Sequence, residues 1–151
     1  MTIALCSSEI ADRLNSVLPE AITEVKKDSL VIKSDSLFDI AAFLKNTPDL
    51  DFDYLSHITC VDYKAYFELV YQLISTKHNH SIVLKARCHQ RDEPVVDSIV
   101  DLWKGADFQE REIYDLMGVK FKGHPNLKRI FLWDGFQGHP LRKDNDSDTE
   151  N

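Results

Sequence analysis

Two alternating segments, 66–75 and 81–88, place the tightest limit on what this chain can fold into. In the first, Phe67, Leu69, Tyr71 and Leu73 alternate with Glu68, Val70, Gln72 and Ile74. In the second, Ile82, Leu84, Ala86 and Cys88 alternate with Val83, Lys85 and Arg87, and residues 76–80 connect the two. A period of two puts each set on one face of a sheet. Two long strands cannot hide an apolar face alone, so further strands and a covering layer are required. Phe52–Tyr63, aromatic and β-branched, supplies one more strand, and residues 22–26 and 29–33 read as a hairpin around Lys27-Asp28.

Helical spacing appears between these runs. Ser7 or Ser8 can cap a helix with Ile10, Leu14, Val17 and Leu18 on one side, ended by Pro19. Ser36 and Asp39 stand in capping-box positions before Leu37, Ile40, Ala41 and Leu44. Pro94 is placed to start a helix with Val95, Val96, Ile99, Val100 and Trp103 on one face, stopped at Gly105. Asp107, with Glu110 three residues on, opens a last helix running to Met117, and Gly118 can form its exit. Helices and strands are segregated, so the expected class is α+β, with helices packed on a mainly antiparallel or mixed sheet. With 151 residues, 43% of them apolar, the chain can bury one core unaided.

The pattern changes at Val119. Residues 119–143 combine Pro125, Pro140 and scattered glycines with Phe121, Leu127, Ile130, Phe131, Leu132, Trp133, Phe136 and Leu141, and show no period. Such a run is expected to lie across another surface. Charge divides the chain at the same place. Residues 1–119 hold 12 basic against 20 acidic groups, whereas 120–143 carry Lys120, Lys122, Lys128, Arg129, Arg142 and Lys143 against Asp134. The last eight residues hold four acids and no base. The expected organisation is an α+β body (1–118), an extended, irregular partner-binding C-terminal segment (119–143) and an acidic, disordered tail (144–151).

Several chemistries find no support. Cys6, Cys60 and Cys88 are odd in number and unpaired in spacing, so reduced thiols and no disulfide framework are expected. No Cys-x-x-Cys, G-x-G-x-x-G or P-loop occurs, so neither a cluster nor a nucleotide has a motif here. No run of about 18 apolar residues exists for a membrane span. The N-terminus lacks a signal-peptide pattern, and a cytosolic-type domain is expected. The net charge of −7 argues against nucleic acid as the partner of Lys128, Arg129, Arg142 and Lys143; an acidic protein surface suits them as well and also covers the apolar residues.

The run 107–118 carries the candidate chemistry. On a helix Glu110, Tyr114 and Met117 share one side, and Arg111 and Asp115 another. An acid–base enzyme could use Glu110 or Glu112 with Tyr114, with Arg111 holding an anion. Alternatively Glu110 completes a capping box and Arg111 pairs with Asp115. His124 and His139 each sit in a Gly-His-Pro tripeptide, which suits rigid corners in an extended segment more than a metal site needing three or four ligands.

Read together, Glu110–Gly118, Phe121–Ile130 and Gly138–Asp144 resemble the 30 kDa subunit family of respiratory complex I, the C-type subunit of bacterial NADH–quinone oxidoreductase. The Glu-Arg-Glu box, its spacing to His124 and the Lys128-Arg129-Ile130 ending carry the likeness, over 107–144. Phe131 departs from it, where an aliphatic residue is more usual. The resemblance implies a structural subunit with no catalytic residues and no metal or cofactor of its own; flavin, iron–sulfur clusters and quinone belong to partner subunits. It implies a peripheral place in the hydrophilic arm, on the cytoplasmic or matrix side of the membrane. The implied partners are the quinone-site large subunit, similar to the large subunit of nickel–iron hydrogenases, and the neighbouring iron–sulfur subunits. The expected interface is Glu110, Arg111, Glu112, Tyr114, Asp115, His124, Leu127, Lys128, Arg129, Ile130, Trp133, His139 and Arg142, with Arg111 and Arg129 as anchors. Related subunits occur in membrane-bound hydrogenases and F420H2 dehydrogenases. A different class, a free-standing acid–base enzyme on Glu110, Tyr114 and His124, is the other reading of the same residues.

Overall fold

A computed structural model describes residues 2–133 and 135–144. The elements in order are β1 (Ile3–Ala4), α1 (Ser7–Val17), β2 (Ile22–Val25), β3 (Leu30–Lys33), a 3-10 turn (Ser34–Ser36), α2 (Leu37–Asn46), β4 (Tyr54–Asp62), β5 (Phe67–Ser75), β6 (His80–Cys88), β7 (Val95–Asp97), α3 (Ala106–Met117) and β8 (Lys120–Lys122). The six-stranded main sheet runs β2-β3-β6-β5-β4, with β1 added to β6. β4, β5 and β6 are antiparallel, as is the β2–β3 hairpin, whereas β3 and β1 lie parallel to β6. The fold is the expected α+β with a mixed, mainly antiparallel sheet.

The alternation of β5 and β6 places Phe67, Leu69, Tyr71, Leu73, Leu84 and Ala86 in the core. They join Ile10 and Leu14 of α1, Leu37, Ile40 and Leu44 of α2, and Ile113 and Met117 of α3 in one buried cluster. Burying a side chain of this size stabilises by about 1.5–3 kcal/mol, so this shared face dominates the fold.

Four local expectations are corrected. Residues 94–103 are not a helix: Val95–Asp97 form β7, paired parallel with β8, and Ile99–Trp103 turn. Lys120 N–H donates to the Pro94 carbonyl and Ser98 N–H to that of Lys122, each at 2.9 Å, so a distant strand satisfies backbone that a helix would have satisfied locally. Val17 is exposed rather than packed. Ser7 lies inside α1 and donates to the Lys27 carbonyl, and neither Ser36 nor Asp107 forms a capping bond. Finally, regular structure continues past Gly118 into β8, with Val119 and Phe121 in the core, so the irregular chain starts at Gly123. Of the acidic tail, Asp144 is ion-paired with Arg91 and Arg142; residues 145–151 lie outside the described residues.

Candidate partner-binding site

The site is built on α3. Gly118 ends the helix in the left-handed conformation (φ 79°), its N–H bonded to the Tyr114 carbonyl. The chain then forms β8 and doubles back along α3, and Asp115 receives it. One carboxylate oxygen accepts N–H bonds from Ile130 (3.2 Å), Phe131 (2.8 Å) and Leu132 (3.1 Å), and the other accepts from Arg129 at 3.0 Å. Burial alone would raise the Asp115 pKa; the three amides and the guanidinium outweigh it and hold the carboxyl below its ordinary value. The expected Arg111–Asp115 pair is therefore absent. Arg111 instead donates to the Lys128 carbonyl (3.2 Å) and lies over the Phe108 ring.

Further ties hold the segment. Arg129 also donates to the Gly138 carbonyl at 2.9 Å. His139 Nδ1 donates to the Asp115 carbonyl at 2.9 Å, and its ring lies so close to Gly118 that an added Cβ would come within 2.7 Å of it. Leu141 N–H donates to the Leu116 carbonyl. At the end of the segment Arg91 clamps buried Asp62 at 2.6 and 2.9 Å, and Lys143 N–H donates to the same carboxylate. The Arg91 and Arg142 guanidinium groups both stand over the Phe67 ring, and the Arg91 pairing holds Asp62 far below the carboxylate range.

Glu110 faces inward. It is fully buried and accepts from Ser98 Oγ at 2.5 Å and Ile99 N–H at 2.9 Å, so it joins α3 to the turn after β7 rather than completing a capping box. His124 is a corner, as expected: Nδ1 accepts from Asn126 N–H at 3.0 Å, which leaves Nε2–H to donate to the Asp107 backbone carbonyl at 3.3 Å. No group of three or more His, Cys, Asp or Glu fit to hold a metal occurs among the described residues.

These ties turn other side chains outward. Phe131, Trp133 and Leu141 are 63%, 69% and 60% exposed, and Phe108 on α3 is 65% exposed. Leu127 and Ile130 are half-buried, Lys128 and Glu112 are exposed, and Tyr114 is half-buried beside His139. A 190 Å³ groove between β4 and α3 is walled by Ile58, Cys60, Ile113 and Met117, with Glu112 and Leu141 also lining it. Burial pushes the Cys60 thiol to about 12. The sequence alone does not single out Phe108 as an exposed aromatic of this face, nor Asp62 and Arg91 for the clamp, whereas Leu141 falls in the apolar run expected to lie across another surface. Phe108 does stand three residues before Arg111 on one helix face, which is a signal of its place.

A mixed sheet backed by helices, with an irregular segment tied to its own last helix and aromatic side chains turned outward, defines an α+β domain with an exposed apolar face along that segment. A family model described as "Respiratory-chain NADH dehydrogenase, 30 Kd subunit" matches residues 30–151, and the chain belongs to that family. It is 39% identical to the C-type subunit of the NADH-quinone oxidoreductase of Roseiflexus sp. (strain RS-1), over 94% of this chain and 85% of that one. It is 40% identical to the corresponding NADH-quinone oxidoreductase subunit of Burkholderia multivorans, over 84% of this chain and 66% of that one. Among solved structures it is similar to a chain of the membrane-bound sulfane sulfur reductase, an archaeal respiratory membrane complex (TM-score 0.73, 25% identity, 91% of this chain and 84% of that one). It is also similar to the trypsin-resistant fragment (1-134) of Nqo5 (TM-score 0.60, 29% identity, 76% of this chain and 99% of that one). No helix among the described residues is long and apolar enough to cross a membrane.

Proposed function

We propose that this chain is a structural subunit in the peripheral arm of a proton-translocating NADH–quinone oxidoreductase, where it packs on the quinone-site large subunit and its iron–sulfur neighbours. Flavin, clusters and quinone belong to those partners, and the chain contributes assembly and rigidity on the cytoplasmic side of the membrane. The observation that carries this reading is the exposure of Phe131, Trp133 and Leu141 on a segment that Asp115 holds in place. The expected interface residues divide into two groups on this reading. Arg111, Glu112, Tyr114, Leu127, Lys128, Ile130 and Trp133 meet the partner. Glu110, Asp115, His124, Arg129, His139 and Arg142 position them, since their polar atoms are bound within the chain.

The test is a tag on the N-terminus, purification in mild detergent from the native host, and mass spectrometry of what accompanies the chain. Quinone-site, cluster and membrane subunits are expected, and recovery of a lone folded monomer rejects the proposal. Trp133→Ser separates docking from folding. A central aromatic anchor is worth about 2 kcal/mol or more, so about thirtyfold weaker assembly is expected with thermal stability unchanged. The likeness to the archaeal sulfane sulfur reductase favours a second reading, an equivalent subunit in a complex with another donor or acceptor. A co-purifying flavin subunit selects the first reading, and a flavin-free complex the second.

A further inference from the structure

Glu110 is buried in the core without an ion-pair partner among the described residues. The titratable groups facing it are Asp107 on its own helix, Asp101 from the turn after β7, and Tyr71 from β5; Tyr71 in turn feels Cys60 of β4 and Asp97 of β7. Every one is an acid. The Tyr71 hydroxyl is enclosed and has no hydrogen-bond partner. A buried carboxylate without a countercharge is costly, and two donors offset only part of that cost. Burial accordingly raises Glu110 to about 7, against the Ser98 and Ile99 hydrogen bonds.

The neutral carboxyl fits the same place. One oxygen still accepts the Ile99 N–H, and Ser98 Oγ, which accepts from Val100 N–H at 3.2 Å, has a second lone pair for a Glu110 O–H, so the bond that Ser98 donates to the carboxylate reverses and its hydroxyl hydrogen is released. We propose that Glu110 is a proton-operated latch: with its proton it closes α3 onto the Ser98–Ile99 turn, and on losing it the turn opens so that water reaches the carboxylate. The proton leaves to solvent through the opened turn, and no other bond changes. The latch lies at the first turns of the helix whose far end carries Asp115, so opening would slacken the support of the C-terminal segment.

The test is amide hydrogen exchange at Ile99 and Val100 in the full-length chain at pH 6 and pH 8, corrected for intrinsic exchange. The opening constant is expected to rise about tenfold between these values, as linkage requires for one proton bound in the closed state and released in the open one. Glu110→Gln, which keeps the shape without the titration, is expected to remove the rise. A pH-independent opening constant, or an equal rise in Glu110→Gln, overturns the proposal. Should that variant not fold, the ¹³C shift of the Glu110 carboxyl in the unaltered chain decides: a midpoint near neutrality supports the latch, and one in the ordinary carboxylate range rejects it.

Discussion

Asp115 shows how one side chain can organise a segment that has no secondary structure. Three consecutive amides that would need water or a strand partner are satisfied by one carboxylate, as at an anion-binding nest. Hydrogen bonds to a charged group contribute about 1.5–3 kcal/mol each, and removing one partner of a buried pair costs about 3–5 kcal/mol. Asp115→Ala is therefore expected to destabilise the chain by about 3 kcal/mol or more, read from denaturant midpoints. Faster trypsin cleavage after Lys128 and Arg129 is expected to accompany it. An unchanged midpoint and cleavage pattern would mean that the nest does not hold the segment. The sequence offers Arg111 as the partner, because four residues on a helix bring side chains together. The true partners lie 14 to 17 residues downstream, and nothing in local spacing marks them.

At the scale of elements, legibility follows the length of the periodic run. β5 and β6 have nine residues each and are readable from alternation, as are the apolar faces of α1 and α2. β7 has three residues and its partner β8 lies beyond α3, so Pro94 and a Val-Val pair look locally like a helix start. The exit from α3 is legible because only glycine enters the left-handed region without cost. Gly118 also serves a second purpose, the close approach of His139, which the sequence does not show. Gly118→Ala is expected to cost about 1–2 kcal/mol for the backbone, and more from the displaced ring. Thermal unfolding of Gly118→Ala, His139→Ala and the double variant measures the coupling. The cost of Gly118→Ala should be smaller when His139 is absent, and equal costs would exclude ring contact as a cause.

Across the whole molecule two sets of acids work in opposite directions with pH. Asp62, Asp115 and Asp144 sit below their ordinary values: Arg91 holds the first, backbone amides and Arg129 the second against its burial, and Arg142 with Arg91 the third. A lowered carboxylate gives stability that is complete above its unfolded value, about 3.9, and is lost as pH falls through the folded value. Glu110, raised to about 7 by burial, gives stability that is complete below its unfolded value and is lost as pH rises through the folded one. The two limbs bound a maximum just above the ordinary carboxylate range, on the acid side of neutrality. Asp62→Asn is expected to reduce the acid limb to the share of Asp115 and Asp144 while lowering stability at pH 6, since Arg91 keeps only Asp144; Glu110→Gln is expected to flatten the limb between pH 5 and 8 alone. Denaturant midpoints measured across pH for the three proteins test this. The Asp62 limb reports on the clamp that ends the C-terminal segment, and the Glu110 limb on the body that supports it. If either variant lost both limbs together, segment and body would be shown to unfold through one titrating group, and the division of labour drawn from their contacts would fail.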